Sequence, residues 1–284
     1  MAITTFVSTV WGESLLRSLN KNYVSVANCT REYEGDIREM GSTVRVLGLN
    51  NVTVNDYTKN ADMSAPEQLS DFTTLLKINN AKYFNFQIDD IDRVQSKPAL
   101  MEAALQNASR ALADEADRVV YEVCRASENS YEPSEKVTPE TIVHEILKAH
   151  TIFCNQCGYT PSDVVLEVSP RVAALIVEAK MNLLSNNTNT VENGYLGSIG
   201  GCKIYVSTKV YSHLNATDIW THDCIMRTKR AVAFAEQISE IEAYRPERRF
   251  ADAVKGLHLY GCSAIHANEL LVVSIPTDQD GEQI

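Results

Sequence analysis

The chain has 284 residues, of which 44% are apolar and 22% charged, and this ordinary globular composition excludes a disordered, collagen-like or coiled-coil protein. Its 26 basic and 37 acidic side chains give a formal net charge of -11 at pH 7. This acidic excess argues against tight, sequence-independent binding of nucleic acid, which depends on lysine and arginine. The length suits one large domain or two closely joined domains.

The sequence contains no segment that predicts membrane insertion or export. No run approaches the roughly 20 apolar residues that a transmembrane helix needs. No basic segment precedes an apolar run near the N-terminus, so no signal peptide is predicted. The seven cysteines are scattered and odd in number, which favours reduced thiols in a cytoplasm over a disulfide framework.

The first ninety residues predict a short helix followed by a long hairpin. Apolar residues from Ile3 to Leu19 recur at spacings of three and four and predict an amphipathic helix. Alternating apolar residues predict one or two strands over Val44 to Val54 and another over Phe72 to Ile88. The polar segment 55–71 between them is too long for an ordinary turn, so we expect it to project or to contact another chain.

The middle of the chain predicts two helices. Ser96 and Pro98 begin the strongest one, because serine caps a helix well and proline is tolerated in the first turn. Its apolar stripe continues to about Ser127, so its roughly 30 residues span about 45 Å. A second helix begins at Thr138 and is stopped by Gly158.

Beyond that glycine, the pattern predicts a small α/β unit and then mostly strands. We expect a strand over 163–168, a helix from Ser169 to Leu184 and a mobile polar loop over 185–194. Six further strands are predicted over 203–208, 219–226, 231–237, 241–245, 257–265 and 270–275.

Cys154 and Cys157 form the most conspicuous chemical motif, because spaced cysteine pairs serve redox and zinc sites. With His150 they continue the apolar stripe of the second helix. They lie in its last turn, where the helix dipole disfavours a thiolate. A structural role on a buried face is the main interpretation, and a zinc- or thiol-dependent domain is kept as a remote alternative.

The remaining motifs do not predict catalysis, a metal or a cofactor. The glycine cluster at 194–201 precedes a strand and predicts a tight turn, whereas a phosphate-binding loop opens a helix. The acidic cluster at 89–92 lacks the calcium-loop spacing and is expected in a turn before the long helix. Basic residues at 227–230 and 245–249 lie among glutamates, which predicts salt bridges at a subunit contact. We therefore expect no enzyme activity.

A series of short segments lies in a characteristic order along the chain: 10–16 (VWGESLL), 31–35 (REYEG), 41–44 (GSTV), 56–58 (DYT), 82–86 (KYFNF), 89–97 (DDIDRVQSK), 200–207 (GGCKIYVS), 229–234 (KRAVAF) and 250–257 (FADAVKGL). No single segment is diagnostic alone. In order and spacing they resemble the major capsid proteins of tailed bacteriophages, those with the HK97-like fold. The resemblance covers nearly the whole chain.

The resemblance implies an α+β, HK97-like capsid fold with distinct parts. We expect an N-terminal arm over 1–40 and an extended loop, the long β-hairpin, over 41–92. A peripheral domain with a long spine helix follows over 93–135, and an axial domain over 136–235. Residues 236–284 are expected to return to the peripheral domain and to end in a C-terminal tail.

The resemblance also implies a function. Family members assemble as pentamers and hexamers into an icosahedral head shell that encloses double-stranded DNA. The expected partners are further copies of the chain, a separate scaffolding protein and a portal, with no membrane and no sequence-specific DNA binding. The protein is expected to be made in the host bacterial cytoplasm and to reside in the virion. Candidate subunit contacts are Trp11, Tyr57, Lys59, Arg245, Arg248 and Arg249.

An encapsulin-like nanocompartment shell is the main alternative, because such a shell shares the fold but encloses an enzyme cargo. Within the phage interpretation, the net charge of -11 predicts an inner wall that does not grip the packaged DNA.

Overall fold

The computed structural model describes residues 15–32, 43–49, 71–89, 99–182, 195–215, 218–248 and 251–277, together with positions 56 and 59. Within these residues the chain forms an α+β fold in which four α-helices accompany twelve strands in three sheets. None of the helices in these ranges combines the length and the apolar character that crossing a membrane requires.

The described helices follow the predicted apolar stripes, whereas residues 3–14 of the first predicted helix and the predicted loop at 185–194 lie outside the described residues. Their bounds are 15–22 for α1, Ala99–Arg125 for α2, Ile142–Cys157 for α3 and Pro170–Asn182 for α4. The 27 residues of α2 correspond to a length of about 40 Å, which agrees with the long helix predicted from the sequence. In α1, Leu15 and Leu19 lie four residues apart on one face, and both are buried.

Helix α3 starts later than predicted and ends where predicted. The N–H groups of Thr141 and Ile142 both bond to the carbonyl of Thr138, so that the chain makes a turn before the helix begins. Gly158 ends the helix with a φ of 73°, in the left-handed region that glycine adopts without steric cost.

The predicted hairpin is present, but its second strand is shorter than expected. β1 (Thr43–Leu49) pairs antiparallel with β2 (Asp71–Lys77). After the linker Ile78 and Asn79, the chain continues as β3 (Asn80–Asp89), which pairs with β11 (Ala251–Ala264) in another sheet. The sequence predicted one strand here because the apolar alternation is similar on both sides of the linker.

The second sheet is antiparallel, in the order β10, β11, β3, with β10 spanning Val232–Tyr244. Two strands were predicted over the residues of β10, and the structure shows one strand with an irregularity between Ile238 and Glu240. Helix α2 contacts this sheet, and an ion pair of 3.3 Å between Lys82 on β3 and Glu115 on α2 marks the covered face.

The third sheet contains seven strands in mixed orientation. Their bounds are Ser130–Tyr131 for β4, Val165–Val168 for β5, Tyr195–Ile199 for β6, Cys202–Val206 for β7, Ser212–Leu214 for β8, Trp220–Arg227 for β9 and Leu270–Thr277 for β12. The order is β4, β12, β9, β5, β7, β6, and β8 pairs with β9. β5 is buried at every position and lies parallel to β7, and its sequence is apolar except for Glu167.

The glycine cluster forms the turn that was predicted. Gly200 and Gly201 connect β6 to β7 with φ angles of 57° and 91°. Two consecutive left-handed residues are what a tight two-residue hairpin loop needs, and glycine supplies them without strain. The sequence did not predict β6 itself.

Two hydrophobic cores hold these elements together. The main core joins the four helices to the mixed sheet and to one face of the three-stranded sheet. A smaller core lies beneath the β1–β2 hairpin, where apolar side chains of the hairpin base meet the other face of the three-stranded sheet. Its members are Val44, Val46, Leu76, Ile78, Ala233, Ala235, Leu259 and Ile265.

We predict that Gly261→Ala destabilises the protein by about 2 to 3 kcal/mol, the cost of inserting a methyl group into filled space. A Cβ at Gly261 would overlap the backbone carbonyl of Lys77, which cannot move without shifting β2. Gly256→Ala is the matched control, because its Cβ would meet only the half-buried ring of Phe84, which can turn aside. Urea unfolding measures both variants, and an equal or larger loss for Gly256→Ala would contradict the assignment.

Candidate functional site: the anchored N-terminal segment and the predicted contact residues

The structure describes three of the six residues predicted to contact other subunits. Lys59 is exposed at a turn between β1 and β2, and Arg245 and Arg248 are exposed just after β10. The other three lie outside the described residues: Trp11, Tyr57 and Arg249. Their role as contacts stays a prediction, because it concerns a second copy of the chain.

Cys154 and Cys157 occupy the last turn of α3 as half-buried free thiols. Cys154 Sγ lies 3.5 Å from His150 Nε2, and Cys157 Sγ donates to the carbonyl of Asn268 at 3.4 Å. Burial raises the pKa of both thiols, that of Cys157 to about 11, which opposes thiolate chemistry. In the part of the chain that the structure describes, no three His, Cys, Asp or Glu side chains are grouped to hold a metal ion.

Arg227 does not form the subunit contact that the sequence predicted for the basic residues at 227–230. Arg227 is completely buried inside its own chain and pairs with the equally buried Glu167 on β5, at 2.9 Å. Arg230 pairs with Glu269 of the same chain. The prediction was wrong for Arg227 because its partner lies 60 residues away in sequence, on a strand that folding brings alongside. Lys229 and Arg230 are exposed, and a subunit contact through them stays a prediction.

Arg227 and Glu167 together hold the segment that follows α1. We call residues Tyr23 to Arg31 the anchored segment. Arg227 donates from Nη2 to the carbonyl of Ser25 at 2.8 Å and from Nη1 to the carbonyl of Asn28 at 3.0 Å. Glu167 accepts from Ser25 Oγ at 2.7 Å and from Asn28 Nδ2 at 3.2 Å. The buried ion pair is thus completed by the anchored segment.

A second buried carboxylate, Asp117 on α2, binds the backbone of the same segment. It accepts N–H groups from Val24, Ser25 and Val26, at 3.0, 3.0 and 2.9 Å. Burial disfavours the charged carboxylate and outweighs these three donors, so the pKa of Asp117 is raised to about 7.

A third carboxylate, Glu236 on β10, fixes the two ends of the anchored segment. It accepts hydrogen bonds from the Tyr23 hydroxyl and the Arg31 guanidinium, and its Oε2 lies 2.8 Å from His258 Nε2. Burial alone would raise the pKa of Glu236, but the hydrogen bonds from His258 and Tyr23 and the charge of Arg31 lower it. Thr30 adds backbone hydrogen bonds to Val232 and Phe234 of the same strand.

These contacts give the N-terminal part of the described chain a defined position. Three carboxylates from α2, β5 and β10 converge on one short segment, and each contributes charge-assisted hydrogen bonds, which are stronger than neutral ones. Sequence reasoning missed all three. The signal was present in Asp117 and Glu167, because each interrupts an otherwise apolar stripe or strand, and a buried charge needs a partner.

No protein-family model and no curated protein matches this sequence. Solved structures do match its fold. A chain of Mycobacterium phage Che8 has a TM-score of 0.66 at 22% identity, over 87% of this chain and 89% of its own. The capsid of Ralstonia phage GP4 has a TM-score of 0.66 at 10% identity, over 89% and 88%. A virus-like particle from Pyrococcus furiosus has a TM-score of 0.59 at 10% identity, over 96% and 100%.

The fold of this chain is therefore the one found in viral capsids and in a virus-like particle. The predicted α+β, HK97-like capsid fold is confirmed, and the likeness extends over most of the chain. At these identities the likeness describes the fold of one chain and not the arrangement of copies around one another.

We predict that Glu167→Gln lowers the free energy of unfolding by about 3 kcal/mol or more, because it leaves the buried Arg227 guanidinium without a charged partner. Glu122→Gln is the matched control, since it breaks an exposed ion pair with Arg118 on α2 and should cost about 0.5 kcal/mol or less. Urea unfolding measures both. Similar losses for the two variants would contradict the role of the buried pair.

We predict that Asp117 makes stability fall as pH rises. Its folded pKa of about 7 lies above the ordinary value of 3.8, so its contribution is fully present below about pH 4 and is lost through about pH 7. The free energy of unfolding of the wild type relative to Asp117→Asn should therefore decrease between pH 5 and 8. Asp114→Asn, a half-buried neighbour on α2 that pairs with Lys209, is the control. A pH-independent difference for Asp117→Asn would refute the prediction.

Proposed function

We propose that this chain is the major capsid protein of a tailed phage, which self-assembles as pentamers and hexamers into an icosahedral head shell around double-stranded DNA. The observation that carries the proposal is the likeness to the capsid of Ralstonia phage GP4 over 89% of this chain and 88% of that one, which leaves little of either protein without a counterpart. The order of sequence segments supports the same conclusion independently.

The proposal includes an organisation of the subunit. The arm at 1–40, the extended loop at 41–92, the peripheral domain at 93–135, the axial domain at 136–235 and the return segment at 236–284 follow the family plan. The paired strands β1 and β2 are consistent with a long loop, since residues 50–70 connect Leu49 to its cross-strand partner Asp71. A connection of this length reaches beyond the subunit body more readily than a short turn.

Function in this proposal is structural, and it requires further proteins. Copies of the chain are its main partners, with a separate scaffolding protein and a portal. The chain is made in the host bacterial cytoplasm and ends in the virion. Shell formation needs no catalytic group, metal or cofactor. Contacts between copies are assigned to the six residues predicted from the sequence: Trp11, Tyr57, Lys59, Arg245, Arg248 and Arg249.

A nanocompartment shell that encloses an enzyme cargo is the second candidate. The observation that favours it is the likeness to the virus-like particle from Pyrococcus furiosus, which covers 96% of this chain and all of that one. The Che8 and GP4 chains have a higher TM-score than the virus-like particle, 0.66 against 0.59, and we therefore rank the phage capsid first. The neighbouring genes separate the two: portal and terminase genes accompany a phage capsid, and a cargo enzyme gene accompanies a compartment.

We predict that the chain, expressed alone or with a scaffolding protein encoded beside it, forms closed shells of uniform diameter that negative-stain microscopy reveals. A species that stays monomeric under all assembly conditions, with and without that protein, would refute a shell-forming function. Replacing 50–70 by Asn-Gly should keep the hairpin closed, because this pair favours a two-residue turn, yet should abolish shells. Thermal unfolding of the shortened protein serves as the control for its fold.

Lys59→Ala and Arg248→Ala test the contact residues in the same assembly assay. Both side chains are exposed, so the subunit should keep its unfolding temperature while the yield of shells falls. Arg118→Ala is the matched control, because that exposed arginine pairs with Glu115 and Glu122 on its own helix. If both test variants form shells with the yield of the wild type, Lys59 and Arg248 do not contribute to the contacts between copies.

A further inference from the structure

A polar groove of about 500 Å³ runs between α1 and the first half of α2. It is lined by cationic side chains from both helices, Arg17 and Lys21 on α1 and Arg110 on α2. All three are exposed. Because Arg17 and Lys21 are four residues apart, they lie on one face of α1, and that face is directed toward α2.

The groove has a fixed floor. Ser18 Oγ of α1 lies 2.6 Å from Ser109 Oγ of α2, and Asn22 Nδ2 donates to the same Ser109 oxygen at 3.4 Å. Ser109 is completely buried and donates in turn to the carbonyl of Gln106. These contacts tie the two helices together, so the spacing of the cations is set by the fold.

Within the described residues, no carboxylate balances the charge of the groove. Among the residues that the structure describes, no carboxylate oxygen lies within 4 Å of Arg17, Lys21 or Arg110. Other arginines of this acidic chain are neutralised internally, as Arg227 is by Glu167 and Arg125 by Asp223. Unneutralised cations gathered in one concavity attract an anion from outside the chain.

The lining identifies the kind of anion. It contains no acidic side chain and no apolar one, and between the cations it presents the amides Asn22, Gln106 and Asn107. Arginine, lysine and side-chain amides are the groups that contact phosphate oxygens and sugars in protein–DNA complexes. A protein partner is disfavoured, because the centres of protein interfaces depend on buried aromatic or aliphatic anchors, and the lining of this groove is mostly polar.

We propose that this groove binds the phosphodiester backbone of double-stranded DNA, without reading its sequence, and that it is the place where the shell touches the packaged genome. The location rests on the proposed capsid function. It revises the expectation from net charge, since a chain of net charge -11 can still carry one local cationic contact.

The contact is weak by construction. Three cations neutralise at most three phosphates, which gives a slope of log affinity against log salt of about -2.7 and a loss of about 40-fold between 50 and 200 mM salt. A single groove therefore holds DNA briefly and lets it move. Many copies on a shell raise the local concentration of such contacts without making any one of them tight.

The test uses fluorescence anisotropy of a labelled duplex of about 20 base pairs with the full-length unassembled chain, at about 20 to 200 mM salt. The triple variant Arg17→Gln, Lys21→Gln, Arg110→Gln should lose binding and its salt dependence. The control triple Arg45→Gln, Lys203→Gln, Lys229→Gln removes the same charge from exposed positions outside the groove and should keep both. The single variant Arg110→Gln, at an exposed position, should lower the slope by about 1, and unfolding temperatures check every fold.

Three results would overturn the inference. Both triple variants could lose duplex binding to the same extent, which would show that net charge alone decides the binding. The wild type, at the lowest salt, could fail to bind the duplex. A polyglutamate peptide could bind in a groove-dependent way while the duplex does not, which would assign the groove to an acidic protein segment. Shell formation is measured separately by microscopy. Wild-type protein that forms shells but does not bind the duplex would refute DNA binding in the groove and leave the proposed capsid function unaffected.

Discussion

The ion pair of Arg227 and Glu167 is the interaction on which the rest of the structure depends. Removing two charges from water costs several kcal/mol per ion unless every donor and acceptor is well satisfied. In this chain the missing partners come from Ser25 and Asn28, which precede the pair by well over a hundred residues. Among the described residues, Arg227 Nη1 and Glu167 Oε2 find their hydrogen-bond partners only in the anchored segment, which makes that segment part of the core.

Asp117 and Glu236 extend this dependence to the other elements. Asp117 ties the anchored segment to α2, and Glu236 ties its two ends to the three-stranded sheet. Helix α2, the mixed sheet and the antiparallel sheet thus share one polar junction. A shift of any of them would leave a buried charged group without its hydrogen-bond partners. Such a junction favours one arrangement over its competitors, because apolar contacts tolerate sliding and charged hydrogen bonds do not.

The elements were predictable where a local pattern determines them. The stripe of α2, the glycine that ends α3 and the glycine turn between β6 and β7 follow from spacing and backbone freedom alone. The break between β2 and β3 was not predictable, because both strands alternate with the same period and only tertiary pairing assigns them to different sheets. The subunit contact predicted for Arg227 was wrong for a similar reason. Its sequence neighbours Lys229 and Arg230 are exposed, and its partner Glu167 is distant in sequence. Contacts between copies are not encoded in the packing of one chain.

The short linker at Ile78 and Asn79 has a mechanical consequence. Two residues span at most about 7 Å, so the linker holds no slack that could lengthen under tension. Ile78 is completely buried beneath the hairpin, and β3 is hydrogen-bonded to β11 along its whole length. A force on the hairpin is therefore carried through Ile78 and Asn79 directly into the three-stranded sheet, because no slack segment separates the two.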